Sequence, residues 1–276
     1  MINFIVNSEK CSKCRQCVKE CPSEIIQMEK DIPFIPQDKE KECIKCQHCL
    51  AVCPGGAISI LGFDPENSIE INAGFPDPGE MEFLIKGRRS TRRFKKENID
   101  AKEVSKLINA ASYAPTGCNA MSIHFTLIDE YKKMARFREL ALDQLRIVVS
   151  EKKLPRGFEF FEGIMKKWDD DKIDVIFRDA PHLIIASCPK DCVTPVEDSI
   201  IALTNFELLA NSMGLGTLWV GLVKWLITEL APDLKKVLNI PENHIVGYAM
   251  LFGKPAVKFY RTIQRKPETI NIPNIN

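Results

Sequence analysis

Two stretches near the start of the sequence decide its organisation: CSKCRQCVKECP at residues 11–22 and CIKCQHCLAVCP at residues 43–54. Both have the spacing C-x2-C-x2-C-x3-C-P, and the second follows the first after 32 residues. The similarity extends past the cysteines, because Ile26 corresponds to Ile58 at the same offset. Eight of the 11 cysteines therefore belong to one internal repeat.

Three kinds of cysteine site compete for this pattern. A disulfide framework needs an oxidising compartment, and residues 1–4 show no basic region followed by a long apolar stretch that would indicate export. Tetrahedral zinc is bound by C-x2-C pairs but has no use for a third cysteine and a Cys-Pro. A cubane [4Fe–4S] cluster uses three closely spaced thiolates and a remote fourth. The spacing therefore favours two iron–sulfur clusters.

The repeat resembles a bacterial two-cluster ferredoxin domain over about 60 residues, and we assign residues 1–61 to that domain. The resemblance implies that each run lends its fourth cysteine to the other cluster. The ligands of one cluster are then Cys11, Cys14, Cys17 and Cys53, and those of the other are Cys43, Cys46, Cys49 and Cys21. His48, inside the second run, is interpreted as a loop residue near a cluster and not as a ligand.

The composition of the whole chain excludes several classes of protein. Hydrophobic residues make up 45% and charged residues 27% of the 276, which is typical of a globular and not of a disordered chain. The net charge of +1 creates no overall field that favours nucleic acid or a membrane. No apolar run approaches the roughly 18 residues of a membrane span. We therefore expect a cytoplasmic protein with one large domain or two modest ones.

Residues 62–80 are rich in proline, glycine and acidic residues, and we interpret them as a linker. Residues 81–276 mix helices and strands in irregular order, which predicts an α+β domain with a mixed sheet flanked by helices. The predicted elements are a helix that begins with a capping box at Asp100 and Glu103, strands at 123–128 and 183–186, a helix at 196–213, a helix at 228–238 capped by Thr228, and a strand at 245–252.

An insert rich in charged and aromatic residues interrupts this order at about 130–178. Two or more helices are predicted there. They form either ordinary amphipathic packing against the core or a lid over a flat cofactor.

A basic run precedes the first predicted helix of this domain. Residues 86–96 contain seven lysines and arginines and no acidic residue. Such a run can be a nucleic-acid patch or a solvated face. Neither explains Ser90 and Thr91 inside it, whereas guanidinium groups beside a hydroxyl suit a phosphate monoester.

The run resembles the opening motif of the FMN-dependent nitroreductase family, and further motifs follow in the order of that family. The five motifs are Arg88 to Phe94, Ala114 to Asn119, Asp179-Ala180-Pro181, Met213 to Gly221, and an ending that comprises Leu238 to Glu242, Gly253-Lys254-Pro255 and Arg265-Lys266. One departure is that Met121, Ser122 and Ile123 replace the usual Gln-Pro-Trp, which affects the expected substrate contacts. Another is that Val220 stands where some members have an acidic residue.

The resemblance implies a role for each matching residue. Arg88, Arg89, Ser90 and Arg92 would hold the FMN phosphate and ribityl chain, and Arg265 and Lys266 would return to the phosphate. The backbone at Val220 and Gly221 would face flavin N5. Pro115, Thr116 and Asn119 would reach the flavin of the other subunit, because the sites of this family lie at a homodimer interface.

The combined expectation is an oxygen-sensitive iron–sulfur flavoprotein. Its two clusters would pass electrons from a low-potential, ferredoxin-like donor to FMN and on to a small flat acceptor such as a nitroaromatic, quinone or enone. The alternatives are an NAD(P)H-dependent nitroreductase with the clusters as a side branch, and a non-enzymatic electron carrier or redox sensor. No catalytic side chain is identified apart from the flavin chemistry. The four dispersed histidines are expected to be structural, and Cys118, Cys188 and Cys192 to be small buried hydrophobes, although Cys118 could be redox-sensitive.

Overall fold

A computed structural model describes residues 2–71 and 74–275. Its internal contacts divide the chain into two units, one formed by Met1–Phe75 together with Cys118–Ala120 and one formed by Pro76–Gly117 with Met121–Asn276. Cys118–Ala120 therefore group with the cysteine repeat by their contacts, although they lie far from it in sequence.

The first unit contains short elements around the two cysteine runs. In chain order these are β1 (Ile5–Val6), α1 (Gln16–Glu20), β2 (Gln27–Glu29), β3 (Ile32–Phe34), a 3₁₀ helix (Gln37–Glu42), α2 (His48–Ala51), β4 (Ile58–Ser59) and a 3₁₀ helix (Pro65–Asn67). Antiparallel pairing joins β1 to β4 and β2 to β3. A small apolar core that includes Ile25, Ile26, Leu50 and Ile58 packs around the buried Cys17 and Cys49.

The second unit is built on one antiparallel sheet. Its elements are α3 (Pro78–Gly87), α4 (Ala101–Ser112), β5 (His124–Ile128), α5 (Tyr131–Ser150), α6 (Phe160–Asp171), β6 (His182–Pro189), α7 (Pro195–Ser212), β7 (Gly216–Trp219), α8 (Gly221–Trp225), a π-helical turn (Leu226–Leu230), α9 (Leu234–Val237) and β8 (His244–Gly253). The strand order is β5-β6-β8-β7. An isolated parallel bridge joins Ser90 of the basic run to Thr217 of β7, beside the antiparallel pairings of the sheet.

Alternate residues of the central strands enter two separate cores. Leu183 and Leu251 face a core that includes α5 and α6, whereas Ile184 and Phe252 face a core formed with α4 and α7. Successive side chains of a strand point to opposite faces, so a sheet covered on both sides needs near-continuous apolar strands. All four of these residues are fully buried, as that arrangement requires.

The structure confirms the α+β class and most predicted elements, and it corrects the helix predicted at 228–238. The side chain of Asp100 caps α4, as predicted, by accepting from Lys102 N at 2.7 Å. Ile200 and Ile201 of α7 are exposed, because α7 buries Ala202, Leu203, Phe206 and Ala210 instead. Thr228 does not begin a helix, since its hydroxyl donates to Lys224 O inside the π-helical turn, and Pro232 separates that turn from α9.

The insert forms two helices, α5 and α6, that pack into the core. Phe137, Leu145 and Phe161 are buried against the sheet. Helical structure also begins at Pro78, inside the segment interpreted as a linker, because Asp77 caps it by accepting from Gly79 N and Glu80 N. No helix in the described part of the chain has the length and apolar character needed to cross a membrane.

Candidate functional site

Two cavities in the first unit are each lined by four cysteines, three from one run and one from the other. One cavity is lined by Cys21, Cys43, Cys46 and Cys49, and the other is lined by Cys11, Cys14, Cys17 and Cys53. These are the two ligand sets that the sequence pattern implies. The crossed membership follows from the fold, because each fourth cysteine lies past a helix that carries it to the neighbouring loop.

In each cavity the four cysteines are arranged around the cavity and are not close enough together to share one metal ion. Within the described residues, no three His, Cys, Asp or Glu side chains come close enough to ligate a single metal ion. Four sulfurs that hold a cubane lie farther apart than four sulfurs that hold one zinc ion. The geometry and the all-thiol donor set therefore fit a [4Fe–4S] cluster in each cavity.

Burial and backbone donors affect the thiols in opposite directions. Burial raises the pKa of Cys49 to about 12 and also raises the pKa of Cys17, so both favour the protonated thiol until a metal displaces the proton. Backbone N–H groups donate to two sulfurs, from Ala57 to Cys53 Sγ at 3.2 Å and from Lys45 to Cys43 Sγ at 3.4 Å. Such bonds stabilise bound thiolates and influence the reduction potential of a cluster.

In the second unit, the first arginine of the basic run is held by a buried carboxylate. Arg88 Nη1 lies 3.1 Å from Glu207 Oε1, and the same oxygen accepts from Thr217 Oγ1 at 3.0 Å. Asn211 Nδ2 donates to Thr217 Oγ1 at 3.1 Å and completes the network. Glu207 and Thr217 are buried, whereas Arg88 is about one quarter exposed. The carboxylate therefore fixes the arginine where part of its guanidinium can still reach a ligand.

The hydroxyl residues attach the run to the sheet. Thr91 N donates to Thr217 O at 2.8 Å, and Thr91 is buried. A Cβ on Gly216 would lie 2.5 Å from Thr91 Oγ1, so only glycine permits this approach. Ser90 is half-buried and Arg92 is exposed. The side chain of Arg89 donates to the carbonyls of Lys86 and Arg88, while its Nε is buried without a partner among the described residues.

A cavity of about 370 Å³ opens beside Arg88. Its lining includes Phe83, Arg88, Asn211, Tyr260 and Arg261. A surface with two guanidinium groups, a side-chain amide and aromatic rings fits a phosphate-bearing aromatic cofactor. Arg265 and Lys266, which the family resemblance nominates for the phosphate, are exposed and are not among the lining residues. Arg261 is the C-terminal arginine that lines this cavity.

The loop predicted to reach a flavin is anchored by a buried acid. Gly117 N donates to Asp198 Oδ1 at 3.1 Å, and Thr194 Oγ1 donates to the same oxygen at 2.8 Å. Thr116 Oγ1 accepts from Met121 N at 3.0 Å, while Pro115 is exposed. Within the first unit, Asn119 Nδ2 donates to Ile44 O at 2.9 Å, between Cys43 and Cys46. The Asn119 side chain is therefore held by the second cysteine run.

The backbone predicted to face flavin N5 lies at the end of β7. Val220 N donates to Ala249 O at 3.0 Å, so this N–H is used inside the sheet. Gly221 follows, and a Cβ there would lie 3.0 Å from the Tyr248 hydroxyl oxygen. Lys224 Nζ donates to Gly247 O at 2.8 Å and lies over the Tyr248 ring, and burial lowers its pKa. Tyr248 therefore contacts both Lys224 and the backbone at Gly221.

The remaining histidines and cysteines have varied surroundings. His182 is buried against Phe252, and its Nε2 accepts from Ile99 N at 3.0 Å, a contact that links β6 to the segment before α4. Cys188 is buried, as expected. Cys118 is exposed, with a left-handed φ of 51°, so the prediction of a buried hydrophobe is wrong there. Cys192 is half-buried and lies 2.9 Å from Ser122 Oγ. His48 is exposed and lines the second cysteine cavity without being one of its four sulfurs.

Four residues of these sites were not found from the sequence: Asp198, Glu207, Asn211 and Arg261. The first three lie on α7, where Asp198 and Glu207 are nine positions apart and Glu207 and Asn211 are four positions apart. Acidic groups at positions of the helix that face the core are the one signal that could have indicated Asp198 and Glu207. Nothing local distinguishes Arg261.

Comparisons with known proteins agree with this geometry. Residues 85–254 match the nitroreductase family, and residues 10–58 match the 4Fe-4S dicluster domain. Iodotyrosine deiodinase from Thermotoga neapolitana is 26% identical over 62% of this chain and 87% of its own length. A relative from Methanothermobacter thermautotrophicus, whose name includes NADH dehydrogenase/NAD(P)H nitroreductase, is 26% identical over 62% of this chain and 75% of its own. A nitroreductase with bound FMN from Bacteroides fragilis has 23% identity, covers 71% of this chain and 99% of its own, and has a TM-score of 0.58, which indicates the same fold.

Proposed function

This chain belongs to the nitroreductase family, and from that premise we propose that it is an FMN-dependent oxidoreductase with two [4Fe–4S] clusters in its N-terminal unit. The observation that carries the proposal is the presence, in one chain, of two four-cysteine cavities and an Arg-Ser-Thr-Arg motif held by a buried carboxylate. When bound, the clusters supply one-electron transfer and FMN supplies the exchange between single electrons and pairs.

The residues proposed to hold FMN follow from the family resemblance and from the cavity beside Arg88. Arg88, Arg89, Ser90 and Arg92 would bind the phosphate and ribityl chain, together with Arg265 and Lys266 from the C-terminal segment and with Arg261, which lines the cavity beside Arg88. The Glu207 carboxylate orients Arg88, since it occupies one edge of the guanidinium and leaves the others for a ligand. Val220 and Gly221 would lie beside the reactive part of the flavin.

We also propose a homodimer in which Pro115, Thr116 and Asn119 complete the neighbouring flavin site. Large apolar side chains of the second unit support an interface, because Phe83 is 71% and Tyr113 is 80% exposed. A cytoplasmic location is proposed with it, because a reducing compartment keeps free thiols available for clusters.

For the electron route, we propose entry at the clusters from a low-potential, ferredoxin-like donor and exit through the flavin to a small flat acceptor, such as a nitroaromatic, quinone or enone. Two covalently attached carriers raise the effective concentration of electrons at the flavin far above that of a free donor. The chain residues contribute by holding the clusters and the flavin within one molecule and by excluding water around the buried Cys17 and Cys49.

The test is an anaerobic screen of donors and acceptors with the full-length holoprotein, in which cluster and flavin bleaching are followed separately. Serine variants of Cys11 and Cys43 should abolish donor-driven flavin reduction and leave FMN bound. If the protein reduces no acceptor with any of the donors, the result would favour a non-enzymatic electron carrier or redox sensor.

A second candidate is an ordinary NAD(P)H-dependent reductase with the clusters as a side branch. The name of the Methanothermobacter relative favours it. Its outcome in the same screen is distinct: NADH or NADPH would reduce the flavin of the Cys11→Ser and Cys43→Ser variants as fast as that of the parent. That result would replace the cluster-entry route while leaving the FMN-dependent activity in place.

A further inference from the structure

The two cysteine loops have the same backbone but different charges. Lys13 and Lys45 have left-handed φ angles of 59° and 58°, and Arg15 and Gln47 have 61° and 60°. At four positions related by the repeat, the first loop carries Lys10, Lys13, Arg15 and Lys19, and the second carries Glu42, Lys45, Gln47 and Ala51. The formal charge of these positions is +4 in the first loop and 0 in the second. Since the second loop adopts the same conformation without the charges, the fold does not require them.

The four basic residues of the first loop, Lys10, Lys13, Arg15 and Lys19, are named here the basic rim, and two of them, Lys13 and Arg15, line the same cavity as an accessible sulfur. Of the eight cysteines that line the two cavities, Cys14 alone is exposed. Lys10 pairs with Glu66 at 2.7 Å and Lys13 lies 3.5 Å from Asp31, both on the surface. Arg15 and Lys19 are exposed and have no ion-pair partner within residues 2–71 and 74–275. These two cations are therefore available to an external group.

The second loop differs because side chains from elsewhere in the chain donate to its backbone carbonyls. Ile44 O accepts from Asn119 Nδ2 at 2.9 Å, and Cys118–Ala120 belong to the first unit by their contacts. Ser23 Oγ donates to Glu42 O at 2.8 Å on the same loop. The first loop is thus the more open and the more positive of two otherwise equivalent loops.

We propose that the basic rim is the docking surface for an acidic electron-carrier protein, which delivers electrons at the cavity of Cys11, Cys14, Cys17 and Cys53. This inference deepens the proposed function and rests on it. In each encounter the reduced carrier loses one electron and the chain gains one at that cavity, and no bond is formed or broken. The second cavity, whose loop holds Asn119, is the later of the two on the route.

Electrostatics explains why a rim of cations is needed there. Residues 1–60 carry eight basic and eight acidic side chains, so the polypeptide is neutral. A cluster with four thiolates adds about two negative charges, which repel an acidic carrier. The basic rim offsets that charge at the first loop only. Opposite charges attract over about 10 Å at 0.1 M salt and raise the rate of encounter between proteins.

The experiment exchanges the charges of the two loops in the full-length holoprotein. The variant Arg15→Gln/Lys19→Ala gives the first loop the residues of the second, and the matched control Gln47→Arg/Ala51→Lys makes the reverse change at the second loop. The probe is an oxidised acidic bacterial ferredoxin, whose binding is measured by calorimetry at low and high salt. The parent should bind it in a strongly salt-dependent way. The first variant should bind about tenfold more weakly at low salt, with little dependence on salt.

A kinetic readout separates docking from electron transfer itself. Reduced methyl viologen, a small cation that needs no docking surface, should reduce the first variant at least as fast as the parent, whereas reduced ferredoxin should reduce it about tenfold more slowly. Equal ferredoxin binding by the parent and by Arg15→Gln/Lys19→Ala would overturn the assignment of the rim. So would a change in ferredoxin binding by Gln47→Arg/Ala51→Lys as large as the change caused by the first variant. If reduced methyl viologen reduces neither the parent nor either variant, the proposed function itself would be overturned.

Discussion

Nη1 of Arg88 lies 3.1 Å from Oε1 of Glu207, a residue 119 positions later in the chain whose side chain is only 7% exposed. This pair joins the only motif that the sequence offers for a phosphate to the middle of α7. Because the same Glu207 oxygen accepts from Thr217, the motif, the helix and β7 meet at one buried carboxylate.

Replacing Glu207 by glutamine should lower the free energy of unfolding by about 1–3 kcal/mol, since Arg88 and the Thr217 hydroxyl lose a charged acceptor. Urea titrations followed by the fluorescence of the three tryptophans, all in the second unit, would measure it. Glu229→Gln, at an exposed position, is the control and should change little. Equal midpoints for the two variants would show that the pair does not stabilise the fold.

Arg261→Ala should weaken FMN binding by about tenfold or more, because a charge-assisted hydrogen bond contributes roughly 1.5–3 kcal/mol. Arg265→Ala should have a smaller effect, since Arg265 does not line the cavity beside Arg88. Both affinities can be measured by fluorescence titration of flavin-free protein. The reverse order of effects would return the role to the position that the family resemblance nominates.

Anaerobically reconstituted protein should contain about eight irons and one FMN per chain. Cys21→Ser should damage the cluster of the second run, and Cys53→Ser that of the first, because each residue lines the cavity of the other run. Iron analysis combined with EPR of the reduced protein distinguishes the two clusters. Zinc in place of iron, or about four irons in the parent, would contradict the two-cluster assignment.

FMN retention should follow dimer formation. If Pro115, Thr116 and Asn119 serve the flavin of the neighbour, a monomer lacks part of the site and binds FMN weakly. Size-exclusion chromatography with light scattering, over a dilution series, would relate flavin absorbance to molecular mass. Full FMN occupancy in a monomeric fraction would refute the shared site.

Stability should decrease as the pH falls below about 6.5 because of His182. Burial lowers the pKa of this side chain, and its Nε2 must stay unprotonated to accept from Ile99 N. The unfolded chain, with an ordinary histidine pKa, binds a proton that the folded chain does not, so the folded state loses up to about 1.4 kcal/mol per pH unit. His182→Gln keeps an acceptor that does not titrate. Its unfolding should therefore depend less on pH between about 5 and 6.5 than that of the parent.

Local chemistry explains why several features could be predicted from the sequence. Cys11, Cys14 and Cys17 lie within seven consecutive residues, a spacing that suits three corners of a cubane. The cluster type can therefore be predicted from this spacing without knowledge of the fold. The apolar runs of β6 and β8 and the cap at Asp100 are equally local, because each depends on residues within a few positions. The break near Thr228 was missed because a continuous apolar pattern conceals the change from α to π hydrogen bonding.

The sequence by itself determined the chemistry of the chain: eight thiols in two runs, and a basic run with hydroxyls that suits a phosphate. Only the tertiary structure decided which groups act together. It brought Glu207 to Arg88, Arg261 to the same cavity, and Asn119 to Ile44, over separations of 75 to 173 residues. The physical reason is that ligand identity depends on side-chain chemistry, which is encoded position by position. Proximity between distant residues depends instead on how helices and strands pack to bury their apolar faces, and no local pattern records that.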